Sequence, residues 1–275
     1  MPGDSTDAAR HGRTRVAVEL LGSPGTVLDY GCGNGSFASK VAKLIGVSVD
    51  ACDVNAAAIA RAELEPGVRP HLISPDAPRL PILSGQFDAV TCCDVVEHMG
   101  EEVRTTALKE IHRVLTDDGV LIVTAPHKGL FAFADPENFK FHVPRLHRIV
   151  YRALNGRRRY ENRYGGERFG NYSGGAERHR HFSTDELSRI LHDAGFEVDA
   201  VRYYTLIYPF ARIAVWLAQG ISNQLGSSNR VVGIWCKRLL LLCWRVYRWD
   251  SDLECGTAAC SIAVRARKTT LHADN

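Results

Sequence analysis

Three glycines and a carboxylate are spaced as in a site that holds a nucleotide-like ligand. Gly31, Gly33 and Gly35 alternate with other residues directly after an apolar run, and a helical pattern starts at Ser36. Such a turn lets the backbone approach a ligand closely, and the start of the helix favours polar or negative groups. Ser36 stands where a dinucleotide fingerprint has its last glycine, which argues against NAD. Asp53 ends the next predicted strand, where a carboxylate can hold two ribose hydroxyls.

The glycine turn belongs to a series of motifs that runs in order from residue 27 to about residue 125. Over this range the chain resembles the class I S-adenosylmethionine-dependent methyltransferases, and among them the group that contains the ubiquinone- and menaquinone-type methyltransferases. The matching segments are 27–35 (VLDYGCGNG), Asp53, 76–81 (DAPRLP), 87–90 (FDAV), 95–99 (VVEHM), 110–115 (EIHRVL) and 119–121 (GVL).

The resemblance implies S-adenosylmethionine as the cofactor. The cofactor-binding residues that it implies are Asp29, Gly31, Gly33, Gly35, Asp53, Asp76 and Asp94. By this resemblance the three glycines shape the methionine pocket and Asp53 binds the ribose. Asp76 meets the adenine amino group, and Asp94 lines the side that faces the methyl group.

Three histidines could act as the general base of a methyl transfer. O-methylation must remove a hydroxyl proton near neutral pH, for which histidine is well suited. His127 is the first candidate because it follows the fifth predicted strand and should face the donor methyl group. His181 and His98 are the further candidates. A metal site is not predicted, because the pair His179 and His181 lacks a second ligand pair at zinc-like spacing.

Alternating strand and helix patterns place these residues at one edge of a sheet. Apolar and alternating runs predict strands, and helical spacing or capping residues predict helices. The predicted strands are 26–30, 47–53, 68–73, 86–93, 120–125, 196–204 and 258–267, and the predicted helices are about 8–21, 36–45, 55–63, 101–115, 144–154 and 184–194. This order predicts an α/β fold with a doubly wound, seven-stranded, Rossmann-like sheet. The resemblance adds an antiparallel last strand.

Two insertions, 127–182 and 205–257, interrupt the single methyltransferase domain predicted over 1–275. Residues 127–181 carry 12 Lys and Arg against 5 Asp and Glu, and residues 201–249 carry 7 basic residues and no acidic one. The rest of the chain has 15 basic and 26 acidic residues. The first insertion is predicted to be a basic substrate cap for an anionic small molecule or a lipid headgroup. A solvated basic loop or an RNA-binding surface is the alternative.

The second insertion is predicted to be an apolar–basic helical hairpin that faces a membrane. On a helical wheel Lys237, Arg238, Arg245 and Arg248 share one stripe about 100° wide, and most other positions of 231–249 are apolar. The segment lacks the ~18 uninterrupted apolar residues of a membrane span. A hairpin at the interface with anionic headgroups fits this pattern. A buried hairpin or a homodimer contact is the alternative.

The remaining features predict a cytoplasmic protein at the inner face of a membrane. The first residues lack the apolar run of a signal peptide, and the 8 cysteines contain no C-x-x-C pair. The sequence thus predicts O-methylation of a lipid-linked or amphiphilic acceptor, with or without a phosphate or a sugar, while C- and N-methylation stay open. A soluble small-molecule or sugar O-methyltransferase, an RNA methyltransferase and a non-catalytic binder of S-adenosylmethionine are the alternatives; DNA is not a predicted partner.

Overall fold

The computed structural model of the protein describes residues 11–62, 64–74, 79–136, 138, 142–158, 160, 180–225 and 230–269. Its strands are β1 (Val27–Tyr30), β2 (Val49–Asp53), β3 (Val68–Leu72), β4 (Phe87–Cys93), β5 (Leu115–Pro126), β6 (Phe196–Tyr204) and β7 (Ser261–Lys268). Its α-helices are α1 (Gly12–Leu21), α2 (Ser36–Ile45), α3 (Ala56–Ile59), α4 (Glu101–Val114), α5 (Pro144–Asn155), α6 (Thr184–Asp193), α7 (Tyr208–Leu225) and α8 (Arg230–Ser251).

The strands form one sheet in the order β3-β2-β1-β4-β5-β7-β6. All neighbours pair in parallel except β7, which is antiparallel to both β5 and β6. Chain direction therefore brings the carboxyl ends of β1, β2, β4 and β5 to the same edge. The prediction of a doubly wound, seven-stranded sheet with an antiparallel last strand is confirmed.

The sheet is covered on both faces by apolar residues. All four residues of β1 are buried, as expected for a central parallel strand with helices on either side. One cluster of buried residues packs β4 and β5 against α4 and α6, and the other packs β1 and β2 against α1 and α2. The strands that end at the carboxyl edge are thus held in place by packed apolar residues on both faces of the sheet.

Two predicted elements differ most in length, and the predicted start of β7 is wrong by three residues, because Gly256–Ala258 forms a 3₁₀ helix and the strand begins at Ser261. The helix predicted at 55–63 is a single turn, Ala56–Ile59. Asn55 caps it, since its side chain accepts from the Ala58 amide at 3.1 Å, but none of its residues is buried, so no packing extends it. Strand β5 begins at Leu115, five residues before the predicted start, because Leu115 pairs with Phe87 ahead of an irregularity in the register.

Four of the described helices, α5 to α8, lie in the segments between β5 and β7. Helix α5 precedes α6, and helices α7 and α8 follow β6 as an adjacent pair. Gly220 of α7 lies so close to α5 that a Cβ there would be 2.6 Å from Leu154 Cβ. Among the described helices, none is long and apolar enough to cross a membrane.

Helix α8 contacts α1 at the start of the described chain. A Cβ on Gly12 would lie 1.8 Å from the Tyr247 hydroxyl, and Gly12 has a left-handed φ of 57°. The carboxylate of Asp250 at the end of α8 also accepts from the Leu206 and Ile207 amides at 2.8 and 3.0 Å. These amides precede α7, so Asp250 satisfies donors at the start of that helix.

Candidate active site

The glycine turn after β1 is left-handed at all three glycines, with φ values of 82° at Gly31, 56° at Gly33 and 71° at Gly35. A Cβ on Gly31 would lie 2.4 Å from a Val95 methyl group, so only glycine fits there. A Cβ on Gly33 would meet nothing within 4 Å. The turn is therefore packed on one side and faces open space at its middle, as a ligand cradle requires.

Asp53 is fixed against this turn by backbone donors. The Gly33 amide donates to Oδ2 at 2.7 Å, and the Asn55 amide donates to Oδ1 at 2.8 Å. The carboxylate is partly exposed, and each oxygen has a second lone pair. Those lone pairs can accept hydrogen bonds from two neighbouring hydroxyl groups, which fits a ribose.

Asp29 lies buried below the turn. Thr91 Oγ1 donates to its Oδ1 at 2.9 Å, and Oδ2 has no hydrogen-bond partner among the described residues. Burial raises the pKa of Asp29 to about 6, although the Thr91 hydrogen bond acts in the opposite direction. An aspartate with an unsatisfied oxygen beside an open glycine turn fits a ligand that brings a polar or cationic group.

Asp94 follows β4 in a left-handed conformation with φ of 55°. Its Oδ1 accepts from Thr124 Oγ1 at 2.9 Å, which ties it to β5, and its Oδ2 accepts from Arg13 Nη1 at 2.6 Å. The Asp94 carboxylate raises the pKa of Arg13. Helix α1 thus supplies a cation to the residue that is predicted to line the methyl-facing side, and sequence spacing gave Arg13 no such role.

His127 is buried just after β5. Its Nδ1 lies 2.8 Å from the Ala259 carbonyl, so this nitrogen carries the hydrogen and Nε2 carries the lone pair. Burial lowers the pKa of His127. The residue also forms a parallel bridge with Phe182, which places His181 beside it.

His181 is paired with a buried carboxylate. Its Nε2 lies 3.0 Å from Oδ2 of Asp135, and Arg212 Nη1 lies 3.9 Å from the other carboxylate oxygen. An Asp–His pair fixes the tautomer of the ring, since the carboxylate can only accept. The pairing joins residues 46 positions apart, and the sequence alone named His181 without its partner.

Tyr208 lies between two ion pairs. Burial is the main cause of its raised pKa, and both Asp94 and Asp135 raise it further, while Arg212 and Arg13 act in the opposite direction. Arg212 stands 5.7 Å above the Tyr208 ring. The Arg13–Asp94 pair and the Arg212–Asp135 pair therefore flank one aromatic residue near the carboxyl edge of the sheet.

The other predicted site residues are placed as follows. His98 ends a short 3₁₀ helix and lies 3.9 Å from the carboxylate of buried Glu97, whose pKa is raised by burial. Asp76 lies outside the described residues. Gly35 precedes α2, and a Cβ there would lie 2.1 Å from a Leu64 methyl group.

These features are those of the class I S-adenosylmethionine-dependent methyltransferases, and the comparisons confirm the resemblance. Residues 27–119 match the family model described as a methyltransferase domain. The region that carries Asp29, the glycine turn, Asp53 and Asp94 is therefore a methyltransferase domain, whose cofactor is S-adenosylmethionine.

Similar proteins extend the comparison. The ubiquinone biosynthesis O-methyltransferase of Pseudomonas paraeruginosa is 31% identical over 128 residues, which are 44% of this chain and 54% of that protein. The demethylmenaquinone methyltransferase of Beutenbergia cavernae is 33% identical over 130 residues, which are 43% of this chain and 52% of that protein. The chain thus spans about half the length of these relatives.

Solved structures show the same fold. A SAM-dependent methyltransferase from Archaeoglobus fulgidus aligns with a TM-score of 0.53 and 15% identity, covering 97% of this chain and 95% of that one. The [4+2]-cyclase SpnF aligns with a TM-score of 0.54 and 20% identity, covering 93% and 80%. Because a cyclase shares the fold, the reaction has to be argued from the site.

Proposed function

We propose that the protein transfers a methyl group from S-adenosylmethionine to an oxygen of a lipid-linked or amphiphilic acceptor at a membrane surface. The observation that carries the proposal is the left-handed glycine turn held against Asp53. The matched relatives named for ubiquinone biosynthesis and for demethylmenaquinone support an acceptor of amphiphilic character.

The acceptor side of the proposed site combines aromatic and charged groups. Phe131 packs edge-on against Phe210 with ring centroids 5.1 Å apart, and Phe210 is two residues from Tyr208. The guanidinium groups of Arg13 and Arg212 are both engaged by carboxylates. Such a mixture suits an acceptor with an apolar body and a polar or anionic head.

When bound, S-adenosylmethionine supplies an electrophilic methyl group. The glycine turn and Asp53 hold the donor. The aromatic and charged side chains on the acceptor side orient an acceptor oxygen toward the methyl group, because positioning contributes most of the rate enhancement in such transfers. Formation of the new O–C bond breaks the methyl–sulfur bond of the donor and leaves S-adenosylhomocysteine, and the acceptor proton has to be removed as this happens. His181 is our first choice to accept it, since Asp135 orients its ring. His127 is a weaker base because burial lowers its pKa, and His98 stays a third candidate.

Calorimetric titration with S-adenosylmethionine and S-adenosylhomocysteine tests the donor site. Asp53→Ala should weaken binding about tenfold or more, because hydrogen bonds to a charged group contribute about 1.5–3 kcal/mol. Asp118→Ala is the control, since Asp118 is an exposed carboxylate in β5 outside the site. Unchanged affinity in a folded Asp53→Ala variant would contradict the assignment.

Isotope transfer tests the reaction. The chain is incubated with trideuteromethyl-labelled donor and bacterial lipid extract, and products are separated into organic and aqueous phases for mass spectrometry. We expect label on an oxygen of an organic-phase compound. Label in aqueous small molecules or in RNA would contradict the proposed acceptor class and identify a different one. Binding of the donor without any methyl transfer would indicate a non-catalytic binder.

A further inference from the structure

Helix α8 turns a stripe of large apolar side chains toward solvent. Trp235 is 63% exposed, Leu242 56% and Trp249 59%, and Leu239 belongs to the same exposed set. At 100° per residue these four positions fall within about 80° of the helix circumference. We call them the outer stripe. Exposure of two tryptophans and two leucines on one line of a helix marks an interaction surface.

A neighbouring side of α8, centred about 90° around the helix from the outer stripe, packs against the domain and is called the inner side. Cys236, Cys243 and Asp250 recur every seven residues and are buried. Tyr247, on the same side, packs at a tilt against Tyr208 with ring centroids 4.9 Å apart. The helix is therefore held to the domain by one face, and the outer stripe is not needed for that contact.

Basic residues border the outer stripe. Arg238 and Arg245 lie on one margin of it, and both are exposed. The Arg238 guanidinium stands 5.4 Å from the Trp235 ring centroid. Residues 201–249 carry no acidic residue, so a second copy of this surface would meet it with like charge. Anionic lipid headgroups, in contrast, complement the arginines, and tryptophan is favoured at the headgroup level.

We infer that α8 lies flat in the headgroup region of an anionic bilayer, with the outer stripe buried among the lipids and Arg238 and Arg245 at the phosphates. A helix of this kind binds through its buried apolar area together with electrostatic attraction. The inference deepens the proposed function, because it names the surface through which the enzyme meets its acceptor.

The inner side of α8 contacts the helix that carries Arg13, which pairs with Asp94 in the candidate active site. The Tyr247 hydroxyl adjoins Gly12 of α1. The next residue, Arg13, donates to Asp94 at 2.6 Å. Gly12 and Arg13 of α1 therefore connect the helix proposed to lie on the bilayer with the residue predicted to face the methyl group.

Co-sedimentation of the full chain with vesicles tests the inference. Vesicles of phosphatidylcholine with phosphatidylglycerol are compared with phosphatidylcholine alone. We expect binding to the anionic vesicles that weakens with salt, and a roughly tenfold loss for Leu242→Ser, because the variant no longer buries a leucine side chain among the lipids. Leu83→Ser is the matched control, since Leu83 is 73% exposed on the methyltransferase domain. Quenching of tryptophan fluorescence by brominated lipid should be lost in Trp235→Phe/Trp249→Phe.

The inference would be overturned by a folded chain that ignores anionic vesicles, or by equal binding of the Leu242→Ser and Leu83→Ser variants. A chain that is dimeric without lipid and becomes monomeric with Leu242→Ser would assign the stripe to a protein contact instead. Titration of the same samples with S-adenosylhomocysteine separates these outcomes from a failure of the donor site.

Discussion

The methyltransferase domain and the helices added to it use apolar residues in opposite ways. Within 27–119, strands such as β1 are buried throughout, and of the described residues only Leu44, Leu72 and Leu83 are large, apolar and exposed. Between Leu130 and Trp249, fourteen large apolar side chains are exposed among the residues that the structure describes. Apolar side chains thus form a buried core in the first region and an exposed surface in the second. The two regions are therefore distinguished by whether their apolar side chains are buried, and not by how many they contain. The region that binds the donor buries them, and the region proposed to meet the acceptor exposes them.

The largest effect is expected where the turn meets the core. Gly31→Ala places a methyl group 2.4 Å from Val95 and forces a left-handed φ, which together cost about 3 kcal/mol. Gly46→Ala is the control, because Gly46 is also left-handed but has no neighbour within 4 Å. Urea unfolding and donor titration should show a larger loss of both stability and affinity for Gly31→Ala. Equal losses would mean that the turn is not packed as described.

The next effect is a pH dependence confined to the methyltransferase domain. Burial raises the pKa of Asp29 from 3.8 to about 6, so the folded chain keeps a proton there that the unfolded chain has lost. The free energy of unfolding should therefore fall by about 3 kcal/mol between about pH 4 and about pH 6 from this group. Asp29→Asn should flatten that slope in urea titrations across the range. An identical slope in the variant would place the proton elsewhere.

The added helices should be separable from the donor site. Asp250→Ala removes the acceptor for two amides before α7 and should lower the free energy of unfolding by about 2 kcal/mol. Asp252→Ala, which removes exposed ion pairs, should change it little. The affinity for S-adenosylhomocysteine should stay within twofold of wild type. A large loss of affinity with Asp250→Ala would show that the two regions act as one unit.

The smallest effect tests the contact between the regions. Tyr247→Phe removes a hydroxyl beside Gly12, at a cost of about 1 kcal/mol in thermal unfolding. Binding to anionic vesicles should not change, because Tyr247 is on the inner side of α8. Reduced vesicle binding would mean that the hydroxyl sets the orientation of the helix on the membrane.

The sequence predicted those parts of the molecule that depend on local order. Helix α2 and strand β6 begin and end where their patterns do, at Ser36–Ile45 and Phe196–Tyr204. Strand β1 and the glycine turn are adjacent in the chain, and Asp53 follows a recognisable strand. Helix α3 was predicted too long because its capping residue signals where a helix starts, whereas its length depends on packing that is absent.

Contacts between segments that are distant in the chain could not be predicted from the sequence. Arg13 meets Asp94 across 81 positions, and His181 meets Asp135 across a basic insertion. No periodicity relates such residues, since the chain path around the sheet brings them together. A helical wheel predicted that the basic residues of α8 share one stripe. Which of its apolar residues are exposed depends on how α1 and α7 cover the helix, and the sequence alone does not predict that.

The position of β7 has a consequence for how the chain is made. Residues 261–268 pair with both β5 and β6, so the last of the described strands in chain order occupies an interior place in the sheet. Until it leaves the ribosome, β6 has no neighbour and the sheet stays in two parts. Helices α7 and α8 emerge before it. The segment proposed to bind lipid is thus available to a membrane while the domain is still open, and attachment can precede completion of the fold.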